Sequence, residues 1–202
     1  MIGILDYGVG NVRAFSNVYT ELNFPWKSVS RVEDFRDVTH IILPGVGSFD
    51  YAMDMLNNSG MRKKLDHLVL DKKIPVLGVC IGMQMMGNSS EEGTKPGLGW
   101  IDAISKEIRF NSNNLPLPHM GWNSIKVCRD AKILNGIASD EYFYFLHSYF
   151  LSCKNKNIIL AEVEYGTTVT SLVQKENIYG IQQHPEKSHD AGLKLLKNFG
   201  LV

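Results

Sequence analysis

Short runs of consecutive apolar residues alternate with segments of helical periodicity through the first half of the chain. Residues 2–5 form the first run, closed by Asp6-Tyr7-Gly8-Val9-Gly10, and a helical pattern follows over 11–22. A second run spans 38–43 and stops at Pro44-Gly45-Val46-Gly47, with helical segments between 49 and 71. A third occupies 74–79, and the pattern turns helical again from Met83 onward. Buried apolar strands alternating with helices predict βαβ units and a parallel sheet.

The second half changes character. Residues 100–109, 122–127, 142–145, 158–165, 168–173 and 178–182 read as strands, separated by turns such as Lys154-Asn155-Lys156-Asn157. Only 190–199 reads as a helix, with Leu193, Leu195, Leu196 and Phe199 as its apolar positions. The expected fold is α/β: an open, mixed, mainly parallel sheet flanked by helices on both faces, with an antiparallel part in the second half. No repeat or linker divides the chain, so residues 1–202 are expected to form one domain.

Composition narrows the function classes. Lys+Arg and Asp+Glu are both 21, a balance that argues against a broad nucleic-acid binder, which needs surplus cations to displace phosphate counterions. The apolar stretch 74–86 is too short to cross a bilayer, and the N-terminal Met-Ile-Gly-Ile-Leu-Asp lacks the basic region of a signal peptide. Three cysteines without a CxxC pair fit a reducing compartment. The expectation is a cytoplasmic protein with no metal or organic cofactor, no nucleic acid and no membrane.

Chemistry concentrates in three places. Gly78-Val79-Cys80-Ile81-Gly82 sits between a strand and a helix, the pattern of an elbow that holds a nucleophile above a sheet edge. Its glycines leave room for close packing, and a helix N-terminus beside the sulfur favours the thiolate. The alternative is a buried structural cysteine. Far downstream, His184-Pro185-Glu186 pairs an imidazole with a carboxylate, and an extended segment would turn both to one face as base and orienter. Pro44-Gly45-Val46-Gly47 can present backbone N–H groups to an oxyanion, with Ile81 N–H as the other donor, or be an ordinary strand-ending turn. His40, His67 and His189 read as surface or core residues. His119 and His147 are arguable as second bases but have no acid nearby in sequence. Cys128 and Cys153 read as structural, and the aromatic residues of 142–150 as chiefly core.

These residues resemble the class I, triad-type glutamine amidotransferases. Asp6-Tyr7-Gly8-Val9-Gly10-Asn11, Ser90-Glu91-Glu92-Gly93, Pro118-His119-Met120-Gly121-Trp122-Asn123, His147-Ser148-Tyr149 and His184-Pro185-Glu186-Lys187-Ser188 are, in order, similar to the glutaminase subunits of imidazole glycerol phosphate synthases. The resemblance implies a flavodoxin-like amidotransferase fold and hydrolysis of glutamine to glutamate and ammonia through a thioester on Cys80. It implies Cys80, His184 and Glu186 as the triad and Val46 or Gly47 with Ile81 as the oxyanion hole. It further implies Gln84, Glu92, Ser148 and Tyr149 as glutamine contacts, and Asn11, Met120, Trp122 and Lys187 as residues at a synthase interface. The implied partner is a (β/α)8-barrel cyclase in a heterodimer, which takes the ammonia to make imidazole glycerol phosphate and AICAR in histidine biosynthesis. A paralogous role, supplying ammonia for amidination of a surface-polysaccharide sugar, fits the same residues.

Two positions depart from the family pattern: Gln183 where Phe is usual, and Ile81 where Leu is usual. Neither removes a catalytic group. Two other readings stand beside the glutaminase: a stand-alone cysteine hydrolase on the same sheet, and a catalytically silent partner module.

Overall fold

The computed structural model describes residues 1–110 and 115–202. Strand β1 (Ile2–Leu5) leads to helix α1 (Val12–Glu21), whose first turn is capped by the Asn11 side chain accepting the Ala14 N–H at 3.1 Å. Phe15 and Tyr19, one turn apart, form its buried face. Then come β2 (Trp26–Val29), β3 (His40–Gly45), α2 (Phe49–Asn58) and α3 (Arg62–Asp66), the last running into a π turn over His67–Asp71. Strand β4 (Val76–Cys80) passes directly into α4 (Ile81–Met85). The second half supplies β5 (Ser89–Ser90), β6 (Ala103–Glu107), β7 (His119–Val127), β8 (Tyr142–His147), β9 (Tyr149–Cys153), β10 (Ile159–Glu164), β11 (Thr168–Lys175) and β12 (Ile178–Ile181). Helix α5 (His189–Phe199) closes the chain, burying Ala191, Leu195, Leu196 and Phe199.

Among the described residues the strands form a nine-stranded sheet in the order β2-β1-β3-β4-β12-β11-β10-β7-β8 and a three-stranded sheet β5-β6-β9. Strands β2, β1, β3, β4 and β12 are parallel; from β12 outward to β8 the pairing is antiparallel. This is the mixed sheet expected from the sequence. The crossover from β1 to β2 moves one way along the sheet and that from β3 to β4 the other. Right-handed crossovers therefore put α1 and α2 on opposite faces. Their packing agrees: α1 meets α5, whereas α2 meets α4.

Several boundaries differ from expectation. Strand β3 starts and ends two residues later than 38–43, running through Pro44 and Gly45. Its pairing with β1 stops at Ile42, and beyond that the carbonyl of Pro44, whose nitrogen has no proton to give, accepts the Tyr7 hydroxyl at 2.7 Å. Helix α4 begins at Ile81, not Met83, and ends after five residues, because the chain must pass close to β6 at Gly87. Strand β2 has one buried residue in four, too weak a pattern to read, and β5 is only two residues long. Strand β9 was missed because 142–153 folds as two strands that part at Ser148 and join different sheets.

Candidate active site

Three parallel neighbours, β3, β4 and β12, end at the same sheet edge. Gly45 lies opposite Cys80, and Ile181 opposite Val79, so Val46 and Gln182 emerge on either side of the cysteine. The carboxyl ends of parallel strands are where α/β sheets place their ligand crevices.

Cys80 is the last residue of β4, with φ +55° and ψ −112°, a conformation that costs an L-residue on the order of 1–3 kcal/mol and persists only when its surroundings hold it. The glycines do the holding. A Cβ on Gly82 would sit 2.0 Å from the Leu43 carbonyl oxygen, and one on Gly45 would sit 2.4 Å from the Gly82 nitrogen. Only bare backbone lets α4 press against β3 this closely, which fixes the elbow. The helix contributes little dipole at this length; the sharp turn, not a long helix, sets the sulfur's position.

His184 and Glu186 are nearly water-free, with His184 Nδ1 2.8 Å from Glu186 Oε1. They do not meet as alternate residues of an extended segment, as expected. His184 is extended, but Pro185–Lys187 forms a 3₁₀ turn that folds the carboxylate back onto the ring. Helix α5 braces that turn: a Cβ on Gly192 would lie 1.8 Å from the Pro185 carbonyl oxygen. The turn is tied to β8, since His184 N–H donates to the Tyr144 carbonyl at 2.8 Å and Tyr144 N–H donates to Ser188 Oγ at 3.0 Å. Burial alone would lower the His184 pKa. Its interactions with the Cys80 sulfur and the Glu186 carboxylate outweigh burial and hold it above the ordinary value. An imidazole so placed can take a thiol proton and keep it.

Cys80, His184, Val46, Gly47, Ile81, Gln84, Glu92, Ser148, Tyr149 and Lys187 line one cavity of about 270 Å³, with His147 and Leu146. Val46 is 45% exposed, at its mouth. Glu92 Oε2 accepts the Phe49 N–H at 2.8 Å, which fixes it at the start of α2. Gln84 is buried, with its amide fully engaged: Nε2 donates to the Tyr149 carbonyl at 2.9 Å and Oε1 accepts from Ser105 at 3.1 Å. Met120 (61% exposed) and Trp122 (47%) stand outside the cavity on β7, with Trp122 stacked on His189 at 5.1 Å. Lys187 lies 5.5 Å over the Tyr144 ring, between this surface and the cavity. Asn11 is exposed and occupied as the α1 cap.

The two other buried histidines form a chain. Asn123 Nδ2 donates to the Glu164 carbonyl at 3.0 Å and lies 3.2 Å from His119 Nε2, which must therefore accept. His119 Nδ1 then donates to His147 Nε2 at 3.0 Å, and His147 Nδ1 to the Tyr149 carbonyl at 2.9 Å. Burial lowers their pKa values to about 4 and about 3, so both are neutral and His147 has no free lone pair with which to act as a base.

Other expectations need correction. Phe143 and Phe145 are core, but Tyr142 is exposed, and Tyr144 and Tyr149 are half-buried around the site. Cys128 is on the surface beside Glu162, not packed, whereas Cys153 is buried. The sequence reading missed Gln182, Ser105 and Leu146; no spacing marks them, because β6, β8 and β12 come together only in the fold. Among the described residues no cluster of His, Cys, Asp and Glu could hold a metal ion, and no helix is long and apolar enough to cross a membrane.

The family model for glutamine amidotransferase class-I matches residues 4–202. The imidazole glycerol phosphate synthase subunit HisH of Leptospira interrogans is 51% identical over 201 residues, covering 98% of each chain. That of Bdellovibrio bacteriovorus is 48% identical over 204 residues, covering 100% of each. The solved structure of PurLQS from Thermotoga maritima has a TM-score of 0.76 at 15% identity, covering 99% of this chain and 97% of that one, a likeness of fold. An amidotransferase model spanning nearly the whole sequence, and relatives half identical from end to end, lead to one conclusion: the chain belongs to the class-I glutamine amidotransferase family.

Proposed function

We propose that this chain is the glutaminase subunit of an imidazole glycerol phosphate synthase, acting in the cytoplasm in histidine biosynthesis, and that residues 1–202 work as one amidotransferase domain. The observation that carries the proposal is the positive-φ Cys80 sharing a cavity with His184, whose ring is held by Glu186 at 2.8 Å. The names of the half-identical relatives support the pathway.

His184 takes the thiol proton, and the sulfur attacks the side-chain carbonyl carbon of glutamine. The oxyanion that forms is met by Ile81 N–H and by a donor at Val46 or Gly47. As the tetrahedral intermediate collapses, the carbon–nitrogen bond breaks and His184 returns the proton to the leaving nitrogen, giving ammonia and a glutamyl thioester. Water, deprotonated by His184, then cleaves the thioester to glutamate and restores the thiol. Glu186 fixes the ring's tautomer and stabilises the imidazolium. Glu92 meets the substrate's α-ammonium, and Gln84, Ser148 and Tyr149 shape its seat.

Ammonia freed into water at neutral pH is mostly protonated and loses its nucleophilic lone pair, so a closed route to the acceptor is needed. The synthase partner, a (β/α)8-barrel, sits against the surface of Met120, Trp122, Lys187 and Asn11. An oxyanion donor misaligned without the partner would keep hydrolysis slow, since one such donor is worth about 3 kcal/mol in related acyl-transfer sites.

The test is glutamine hydrolysis by the chain alone, with the barrel subunit of the same organism, and with that subunit plus the nucleotide substrate of the histidine pathway. Strong stimulation by the nucleotide is expected. Stimulation by the barrel with the nucleotide inert would move the ammonia acceptor to the sugar-amidination role. Equal turnover with and without a partner would make the chain a stand-alone hydrolase, and full activity of Cys80→Ala in the complex would remove the mechanism.

A further inference from the structure

Behind Cys80 lies a run of buried polar side chains, of which the mechanism above uses only Gln84. Ser105 on β6, Gln84 on α4 and Gln182 just after β12 are all withdrawn from water. Their hydrogen bonds have one direction. The Tyr149 carbonyl can only accept, so the Gln84 group 2.9 Å from it is the NH₂, and the Gln84 oxygen is the atom that takes the Ser105 hydroxyl at 3.1 Å. The same NH₂ reaches Gln182 Oε1 at 3.1 Å. Gln182 is thereby turned with its own NH₂ toward the cysteine, and Nε2 lies 3.7 Å from Cys80 Sγ.

We propose that Gln182 is a further catalytic residue, donating a hydrogen bond from Nε2 to the Cys80 sulfur and stabilising its thiolate, with its orientation locked by Gln84 and Ser105. The proposal rests on the reading of Cys80 as the nucleophile. Two groups compete at that sulfur. The Leu146 carbonyl, 3.8 Å away, can only accept and so favours the protonated thiol. The Gln182 amide only donates there, and donation to an ionised acceptor is roughly twice as strong as to a neutral one. Once His184 removes the proton, Gln182 supplies the solvation that a sulfur in a residue only 5% exposed does not receive from water. Ser105 acts at a distance as a positioning residue: its hydroxyl polarises and orients the amide chain that ends on sulfur.

A purely structural glutamine pair would affect stability and leave the ionisation of Cys80 alone. Alkylation of the full chain by iodoacetamide, followed cysteine by cysteine by mass spectrometry across pH, separates the two roles. In Gln182→Met the alkylation of Cys80 is expected to be about tenfold slower at neutral pH. Ser105→Ala is expected to shift it in the same direction by about threefold in rate. Surface-exposed Cys128 in the same samples serves as the unmoved reference. An unchanged Cys80 profile in folded Gln182→Met, or in Ser105→Ala should Gln182→Met fail to fold, overturns the proposal. Cys80→Ala distinguishes the two failures. If it still hydrolyses glutamine, the nucleophile reading is wrong; if it is inactive while the profiles stay put, only the role of Gln182 is lost.

Discussion

Replacing Glu186 by glutamine changes one atom and removes the charge beside His184, and the structure indicates how large the effect should be. If the new amide kept its oxygen toward Nδ1, the ring would retain its tautomer and lose only the charge assistance of the bond. A hydrogen bond to a charged group is worth about 1–1.5 kcal/mol more than one between neutral groups, which corresponds to a loss of about five- to tenfold. That orientation, however, places the NH₂ where Oε2 now stands, and Oε2 is buried with no hydrogen-bond partner among the described residues. Stranding a donor there costs about 1–3 kcal/mol. The amide is therefore expected to flip, giving its NH₂ to Nδ1 and forcing the proton onto Nε2, the nitrogen that must accept from the thiol. The wrong tautomer costs about 10⁴ in the comparable Asn substitution of a serine protease triad, so a loss of 10³–10⁴ in glutamine turnover is expected for Glu186→Gln, short of the loss in Cys80→Ala. The assay is glutamate release by the partner-stimulated complex. A loss below tenfold would refute the reasoning. Stability provides a second check: His184 holds its proton above its unfolded value, so the pair's contribution is complete below about pH 6.5 and vanishes as pH rises through the raised folded value. The variant should be less stable than the parent at pH 6, and the two should converge in alkali.

The buried His119–His147 pair acts in the opposite sense. Both are neutral in the fold down to about pH 4 and about pH 3, whereas the unfolded chain binds those protons near 6.5, so stability should fall on acidification by at most about 1.4 kcal/mol per pH unit for each. Urea midpoints of the parent and His147→Gln between pH 6.5 and 5 should show the shallower slope in the variant; parallel slopes would absolve the pair. Gln183 is fully buried, with Oε1 accepting from Ser171 at 2.8 Å and Nε2 without a partner among the described residues. Gln183→Met together with Ser171→Ala removes both polar groups and should raise stability by about 1 kcal/mol in thermal melts, with a lower melting point counting against this account. Trp122→Ala should weaken partner binding by about thirtyfold in calorimetry while Cys80 alkylation stays intact, and unchanged affinity would take Trp122 out of the interface.

The parallel half of the fold was readable because strands buried on both faces leave continuous apolar runs, as 2–5 and 74–79 did. Cys80 and His184 stood out because the elbow and the His-Pro-Glu turn are local in sequence. What stayed hidden is non-local. Gln182 looks like the end of a strand until Gln84 and Ser105 arrive from α4 and β6. The pairing of His119 with His147 depends on β7 lying antiparallel to β8, with these two residues in direct register. Even the correct pairing of His184 with Glu186 came from the wrong geometry, because Pro185 starts a 3₁₀ turn as readily as it prolongs a strand.

Strand β8 ends the nine-stranded sheet, and its sequence, Tyr-Phe-Tyr-Phe-Leu-His, is rich in aromatic residues of high β-propensity. A bare edge of that composition is a template for pairing with other chains. Here the outward backbone groups of Tyr144 are taken by His184 N–H and Ser188 Oγ, so the segment that carries His184 also shields the edge. Opening of 184–188 thus parts His184 from Cys80 and uncovers an adhesive strand in a single event. Heat inactivation and aggregation should share one activation barrier, and whatever tightens that turn, a bound partner included, should slow both together.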